Sequence, residues 1–210
     1  MEKVNILIID DEALFREGLR SLLEKESFVA HIYEAGDAQQ FDAHFSEHKI
    51  DIVLLDMRLR GVTGVELLER IRRRHPLTKT IAVTGMEGIE LIINLLKGGV
   101  DGIVYKLDGY KEITRTIRSI LTSGNYFPDR ILKIIQSNAR EWDHTPTVVL
   151  STQERDILKA LARGSITKEI ANELKMAEAT AETYRLRLIK KVGVSNTAAL
   201  LAYAYRNGIL

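Results

Sequence analysis

The feature that most constrains the fold is the segment IDIVLLD at residues 50–56, an apolar run that ends on an aspartate. Branched apolar side chains fill residues 52–55 without alternation, and this pattern predicts a strand buried on both faces of a parallel sheet. A charged side chain is rarely buried in such an interior, so we expect Asp56 at the rim of the sheet. Aspartate is also a common turn residue, and alone it indicates no function.

Other short apolar segments along the chain alternate with amphipathic ones. The further predicted strands are residues 5–9, 29–35, 80–84 and 100–106, and a helical pattern follows each predicted strand up to about residue 121. Five strands and five helices within about 120 residues predict an open, doubly wound α/β sheet, because parallel strands need crossover connections of this length.

Polar residues follow the predicted strands at the ends where such a sheet places its ligand site. They are Asp10, Asp11, Asp56, Thr84 and Lys106. Carboxylates without His or Cys favour a hard cation such as Mg²⁺, and an aspartate can act as a nucleophile toward phosphorus. The hydroxyl and the ammonium group would then bind phosphoryl oxygens, so these strand ends predict a crevice for phosphoryl chemistry.

On these residues, with Gly85 after Thr84, residues 1–123 resemble the receiver domain of two-component response regulators. The resemblance implies a flavodoxin-like sheet of strand order 2-1-3-4-5 and makes Asp56 the phosphoacceptor. It also implies that Thr84 and Lys106 sense the phosphoryl group. The Mg²⁺ ligands that it implies are Asp10, Asp11, Asp56 and the backbone carbonyl of Arg58.

The chain departs from the receiver pattern mildly at Gly85-Met86-Glu87, after Thr84, and more clearly at two other places. The loop after Asp56 reads MRLRGVTG, with Leu59 and Arg60 where the family commonly has Met-Pro. Ile103 occupies the usual position of the switch aromatic, three residues before Lys106. Tyr105 lies two residues later, on the same face of a strand, so it is either a substitute switch residue or a packed strand aromatic.

Composition excludes several classes of protein. A hydrophobic content of 45% with 28% charged residues is typical of a soluble globular protein, and the absence of Cys excludes a disulfide framework or a thiolate metal site. No apolar run approaches the roughly 18 residues of a membrane span, and the amino terminus shows no signal-peptide pattern, so we expect a cytoplasmic protein. Residues 124–147, which contain two of the three prolines, predict a linker.

Residues 148–210 predict a second, all-α domain of four short helices. This part carries 10 Lys+Arg against 6 Asp+Glu, a net charge of +4, whereas the rest of the chain is at −3. The second and third helices, at residues 167–174 and 178–192, form a helix-turn-helix candidate. A polar stripe of Thr180, Thr183, Arg187 and Lys190 on the third helix suits either a DNA groove or an ordinary solvated face.

These residues resemble the LuxR-type DNA-binding domain, over the segments LSTQERDILKALARGSITKEIANEL and ATAETYRLRLIKKVGVSNTAALLAYAYRNGIL. The family often has Val-Lys after the threonine and a histidine two residues later, where this chain has Ala181, Glu182 and Tyr184. Glu182 could accept from cytosine and Leu186 could pack on a thymine methyl group. The residues that the stripe and the resemblance assign to DNA are Lys168, Thr180, Glu182, Thr183, Leu186, Arg187, Lys190 and Lys191.

Together these patterns predict a cytoplasmic, phosphorylation-controlled transcription factor. A histidine kinase or a small phosphodonor would phosphorylate Asp56, and the active form would bind double-stranded DNA as a homodimer. One alternative keeps the fold but assigns the second domain to protein binding, since Glu182 is acidic and the net charge is modest. Another is a metal-dependent phosphohydrolase, which the lack of a strand-end His as a general base argues against.

Overall fold

A computed structural model describes residues 3–85, 88–138, 148, 150–207, 209 and 210. Residue contacts divide the chain into two units, one of residues 1–87 with 100–117 and one of residues 88–99 with 118–210. The domain boundaries after residues 123 and 147 stay predictions. Residues 139–147 of the predicted linker lie outside the described residues.

The first unit contains the predicted sheet. Its five parallel strands run in the order β2-β1-β3-β4-β5, which confirms the doubly wound fold. The strands are β1 (Val4–Ile9), β2 (Val29–Ala35), β3 (Ile52–Leu55), β4 (Lys79–Thr84) and β5 (Gly102–Tyr105).

The central strand β3 is buried at every residue, as its unbroken apolar run predicts. Each of its four side chains is at most 1% exposed. Burial of one such side chain contributes about 1.5–3 kcal/mol to folding, so β3 strongly stabilises the sheet in one register.

The crossover helices are α1 (Ala13–Leu23), α2 (Ala38–Glu47), α3 (Gly64–Arg74), α4 (Ile89–Gly98) and α5 (Gly109–Ser123). Side chains cap the starts of two of them, α2 and α3. Asp37 accepts from the backbone N–H of Gln40 at the start of α2, and Thr63 with Glu66 forms a capping box on α3. Helix α3 ends before Pro76, as the sequence predicts.

The second unit is helical and contains α4 as well as the carboxyl-terminal helices. These are α6 (Asp129–Ser137), α7 (Thr152–Ala162), α8 (Thr167–Glu173), α9 (Glu178–Val192) and α10 (Thr197–Arg206). Ser151 and Glu154 form a capping box on α7, and Gly193 caps the end of α9 with a φ of 77°, which suits a glycine. None of the described helices is both long and apolar enough to cross a bilayer.

Two helices bury a face that their apolar residues alone do not define. On α1, Leu14 and Leu22 are 85% and 40% exposed, while Leu19 and Leu23 are buried. On α9, Tyr184 is half-exposed, and the neighbouring Arg185 is buried at 8% exposure. An ion pair with the partly exposed Glu182 lets this arginine take a core position.

Candidate functional site

The register of the parallel strands brings the predicted pocket residues to one edge of the sheet. Ile9 pairs with Leu55, and Leu55 pairs with Ala82 on the next strand. Asp10 and Asp56 therefore leave neighbouring strands at the same level. Thr84 pairs with Tyr105, so Lys106 leaves β5 beside the end of β4.

Lys106 binds the two buried carboxylates of this edge. Its Nζ lies 2.7 Å from Asp10 Oδ2 and 3.1 Å from Asp56 Oδ2. Asp10 and Asp56 are 1% and 3% exposed, so little water screens the interaction. One ammonium group thus compensates two aspartates that belong to different strands.

The surroundings change the proton affinities of this group. Burial raises the pKa of Asp10, and it outweighs the hydrogen bonds from Lys106 and from the Glu12 N–H, which lower that pKa. Burial alone would lower the pKa of Lys106, but hydrogen bonds to Asp10 and Asp56 raise it above its ordinary value. The lysine therefore stays charged at neutral pH.

Two further carboxylates complete the cluster. Asp10, Asp11, Glu12 and Asp56 can each place an oxygen within 4.8 Å of the others, and we call these residues, with Thr84 and Lys106, the acidic pocket. Asp11 also lies 3.3 Å from Arg60 Nε. Sequence reasoning missed Glu12, whose Oε1 is 3.2 Å from Lys106 Nζ, although Glu12 directly follows the acidic pair.

The loop after Asp56 folds back despite its departure from the receiver pattern. Arg58 forms an isolated bridge with Thr63, and the next residue, Gly64, approaches the backbone of the strand end. A Cβ atom at Gly64 would lie 2.5 Å from the Asp56 carbonyl oxygen. The loop therefore depends on Gly64 and does not need the Met-Pro pair.

Thr84, a predicted sensing residue at the end of β4, and Tyr105, the possible switch aromatic at the end of β5, are both buried. Thr84 is 0% exposed and Tyr105 is 6% exposed. The Tyr105 backbone N–H donates to Asp108 Oδ2 at 3.2 Å, in the 3₁₀ turn that carries Lys106. Burial agrees with either role of Tyr105, so its assignment as the switch aromatic stays a prediction.

Helices α8 and α9 form the predicted helix-turn-helix. Lys175 in the turn between them has a left-handed φ of 52°, which reverses the chain in a short distance. The residues on this motif that were assigned to DNA and are exposed are Lys168, Thr180, Thr183, Leu186, Arg187, Lys190 and Lys191. Leu186 is 53% exposed.

Two of the residues assigned to DNA, Glu182 and Lys191, form ion pairs with other residues of the second unit. Glu182 accepts from Arg185 Nε at 3.0 Å and from Arg185 Nη2, while Arg185 Nη1 donates to Thr197 Oγ1 at 2.8 Å. Lys191 donates to both carboxylate oxygens of Glu154, at 2.9 and 2.7 Å. Sequence reasoning missed Arg185, although Glu182 and Arg185 are three residues apart, a spacing at which helical side chains meet.

Comparison with known proteins finds both halves of the chain in described families. The profile for the response regulator receiver domain matches residues 6–118, and the profile for bacterial regulatory proteins of the luxR family matches residues 148–204. The transcriptional regulatory protein MctR of Rhizobium johnstonii is 30% identical over 208 residues, which cover 99% of this chain and 96% of MctR. The nitrate/nitrite response regulator protein NarP of Escherichia coli is 28% identical over 97% of this chain and 95% of its own length.

Solved structures agree on the fold. A structure of the response regulator RcsB from Salmonella typhimurium covers 97% of this chain with a TM-score of 0.59 at 23% identity, and 98% of the RcsB chain is matched. An RcsB–DNA complex covers the whole of both chains with a TM-score of 0.61 at 22% identity. The families favour the DNA-binding interpretation over a protein-binding module or a phosphohydrolase. The chain belongs to the two-component response regulators that join a receiver domain to a LuxR-type helix-turn-helix domain, and it is a DNA-binding transcriptional regulator.

Proposed function

We propose that Asp56 is the phosphoacceptor through which a histidine kinase, or a small phosphodonor, controls this regulator. The observation that carries the proposal is the Lys106 ammonium group, which lies 3.1 Å from the buried Asp56 carboxylate at the end of β3. A carboxylate held beside a fixed positive charge can receive a phosphoryl group whose own negative charge that cation then stabilises.

Magnesium fits the oxygen ligands of the acidic pocket. Four carboxylates whose oxygens approach within 4.8 Å of one another repel strongly without a cation, and they contain no nitrogen or sulfur ligand. The residues that would hold Mg²⁺ are Asp10, Asp11, Asp56 and the backbone carbonyl of Arg58. When bound, Mg²⁺ supplies positive charge that neutralises phosphoryl oxygens.

The transfer requires little covalent work from the protein. A carboxylate oxygen of Asp56 forms a bond to phosphorus while the bond from phosphorus to the donor atom breaks. The electron pair stays on that atom, which is a histidine nitrogen of the kinase or the acetate oxygen of acetyl phosphate. Lys106 would move from its contact with Asp56 to a phosphoryl oxygen, and Thr84 would donate its hydroxyl to another. Both residues lie at strand ends, so the sheet orients them before the donor arrives.

The new charge would bias the pocket between two states. Movement of Thr84 and Lys106 would alter the end of β5, where Tyr105 is buried. We propose that the phosphorylated state forms a homodimer, since two-fold pairing of LuxR-type domains would match a two-fold DNA site. A regulator of this kind would act in the cytoplasm, where the chromosome is.

On the DNA side, we propose α9 as the recognition helix. Its exposed Thr183 and Leu186 would face base edges, while Arg187 and Lys190 would bind phosphates. Arg185 donates to the Glu182 carboxylate and so fixes its orientation. Glu182 would accept from a cytosine in that orientation. Lys168 on α8 and Thr180 and Lys191 on α9 would add contacts around the groove.

Phosphorylation is tested by intact mass spectrometry after incubation with acetyl phosphate and Mg²⁺. We expect one added phosphoryl group on the natural chain and none on Asp56→Asn. Asp51→Asn is the matched control, because Asp51 precedes the same strand at its opposite end. Equal phosphorylation of Asp56→Asn and the natural chain would refute the assignment of Asp56.

The same samples test the proposed dimer by light scattering coupled to size-exclusion chromatography. We expect the phosphorylated chain to approach twice the monomer mass of 23.7 kDa and the Asp56→Asn chain to stay a monomer. An unchanged mass on complete phosphorylation would contradict dimer control while leaving the phosphoacceptor intact.

A further inference from the structure

Arg16 of α1 lies beside the acidic pocket without being one of its residues. Its side chain is only 17% exposed, which is little for an arginine. One nitrogen, Nη1, donates to the backbone carbonyl of Asp10, and Nε lies 3.7 Å from Glu34 Oε2 near the end of β2. Gly36 lies against the guanidinium group, since a Cβ atom there would be 3.4 Å from Nη1. The guanidinium group therefore joins α1 to the ends of β1 and β2.

The Asp10 carbonyl lies where the chain leaves β1. One residue earlier, the Ile9 carbonyl still accepts from the backbone N–H of Asp56 at 2.8 Å. The next carbonyl along the chain, that of Asp10, accepts from the Arg16 side chain. This carbonyl belongs to the planar peptide that leads to Asp11. A donor on it therefore fixes the backbone between two carboxylates of the acidic pocket.

Hydrogen bonds tie the Asp10 side chain to the same turn. Its Oδ1 accepts from the backbone N–H of Glu12 at 2.9 Å, and its Oδ2 lies 2.7 Å from Lys106 Nζ. Because Glu12 follows the peptide that Arg16 holds, its N–H orients the carboxylate only while that peptide keeps its place. Loss of the Arg16 donor would therefore move the backbone and the carboxylate together.

We propose that Arg16 is a positioning residue for the acidic pocket. It holds the peptide between Asp10 and Asp11 so that both carboxylates face one cation. This inference rests on the proposed function, in which these two aspartates and Asp56 hold Mg²⁺. Arg16 acts on the metal only through the backbone of its ligands, as partners that orient metal ligands do in other sites.

A positioning role and a purely electrostatic role of Arg16 predict changes of opposite sign. A positive charge near the pocket repels Mg²⁺, so removal of the charge by itself would strengthen Mg²⁺ binding. Removal of a donor that orients two ligands weakens Mg²⁺ binding, because the carboxylates no longer start in the geometry that the ion needs. The direction of the change in Mg²⁺ affinity therefore separates the two roles.

Titration of the full chain with MgCl₂, followed by amide NMR without a phosphodonor, tests the inference. We expect Arg16→Met to bind Mg²⁺ about tenfold more weakly than the natural chain. Arg16→Lys keeps the charge but should also bind more weakly, because one ammonium group cannot take the places of both Nη1 and Nε. Arg20→Met is the matched control, since Arg20 lies on the same helix and donates to the same Glu34 at 2.9 Å. It should bind Mg²⁺ as the natural chain does.

Spectra recorded before Mg²⁺ is added report on the peptide itself. We expect the Asp11 amide resonance to shift in both Arg16 variants and to stay unchanged in Arg20→Met. If Arg16→Met does not fold, Arg16→Lys decides the result. Equal or tighter Mg²⁺ binding by the folded Arg16 variants than by the natural chain would overturn the inference.

The titration also separates this inference from the proposed function. A natural chain that does not respond to MgCl₂ would refute the Mg²⁺ site, and the role of Arg16 with it. Weaker Mg²⁺ binding by the Arg16 variants would support the role of Arg16 even if intact mass spectrometry refuted Asp56 as the phosphoacceptor.

Discussion

The acidic pocket and the recognition helix both present charged side chains, but they hold them in opposite ways. The pocket draws Asp10, Asp56 and Lys106 from three different strands into an interior where each is at most 14% exposed on its side chain. The helix presents Arg187 and Lys190 from one continuous segment into solvent. Charges of the pocket are therefore strongly coupled, whereas those of the helix act almost independently.

The largest expected effect follows from removal of the single cation that the pocket shares. Lys106→Met leaves Asp10 and Asp56 buried without a counter-charge, which should lower the free energy of unfolding by about 3 kcal/mol in the absence of Mg²⁺. Urea denaturation followed by far-UV circular dichroism measures the loss, and added Mg²⁺ should restore part of it. An unchanged midpoint would show that the pocket is no more coupled than the helix.

Two variants sharpen this result. Lys111→Met removes an exposed lysine of α5 and should leave the midpoint unchanged. Asp10→Asn should be at least as stable as the natural chain at pH 7, because burial raises the pKa of Asp10 above 3.8. Because the pKa of Asp10 is higher in the folded chain than in the unfolded one, the free energy of unfolding falls as pH rises from 3.8 through the folded-state pKa. The asparagine variant cannot ionise and does not lose this free energy.

For the recognition helix we expect a smaller and additive effect. Arg187→Ala with Lys190→Ala should weaken DNA binding by about tenfold at moderate salt and reduce the slope of log affinity against log salt by about 2. Fluorescence anisotropy with a fragment selected from genomic DNA measures both. The control is Lys159→Ala, which removes an exposed cation from α7. If Lys159→Ala changes the salt slope as much, the DNA does not bind at α9.

The Glu182–Arg185 pair lies between these extremes, since one partner is buried and the other is partly exposed. A double-mutant cycle with Glu182→Gln and Arg185→Met should give a coupling energy of about 1 kcal/mol in unfolding. Arg185→Met should also change the base preference opposite Glu182, because the carboxylate loses its orientation. Selection of bound DNA sequences measures this preference. If the base preference stays the same while the coupling energy is found, Arg185 has only a structural role.

The smallest effect concerns Glu154, whose partner Lys191 was assigned to DNA. Burial would raise the pKa of Glu154, but Lys191 and the Ser151 N–H outweigh it and lower that pKa below 4.5. This stability is present above pH 4.5 and is lost as pH falls through the folded-state pKa. Glu154→Gln should therefore cost about 0.5 kcal/mol at pH 7 and nothing at low pH.

Thermal unfolding at pH 7 and pH 3 checks the difference, with Glu178→Gln on the exposed start of α9 as the control. Glu154→Gln should also strengthen DNA binding slightly, since it releases Lys191 toward phosphates. Weaker DNA binding of this variant would mean that Glu154 positions Lys191 for its contact.

Local patterns in the chain were sufficient to predict the sheet and most helices. Apolar runs such as residues 52–55 suit a strand that is covered on both faces, and caps such as Ser151 with Glu154 act within one turn. Asp10, Asp56, Thr84 and Lys106 could be placed together because parallel strands end at a common edge. These inferences need only the periodicity of apolar residues and the order of strands and helices, and both can be read from the sequence.

Only the tertiary structure decided which charges meet and which apolar residues stay exposed. Nothing local indicates that Glu12 reaches Lys106, 94 residues later, or that Arg185, and not Tyr184, is among the buried residues of α9. The pairing of His44 with the Glu34 carbonyl likewise needs a strand and a helix side by side. Such contacts join segments whose separation in sequence carries no signal, because their energy depends on distance and burial that exist only after folding.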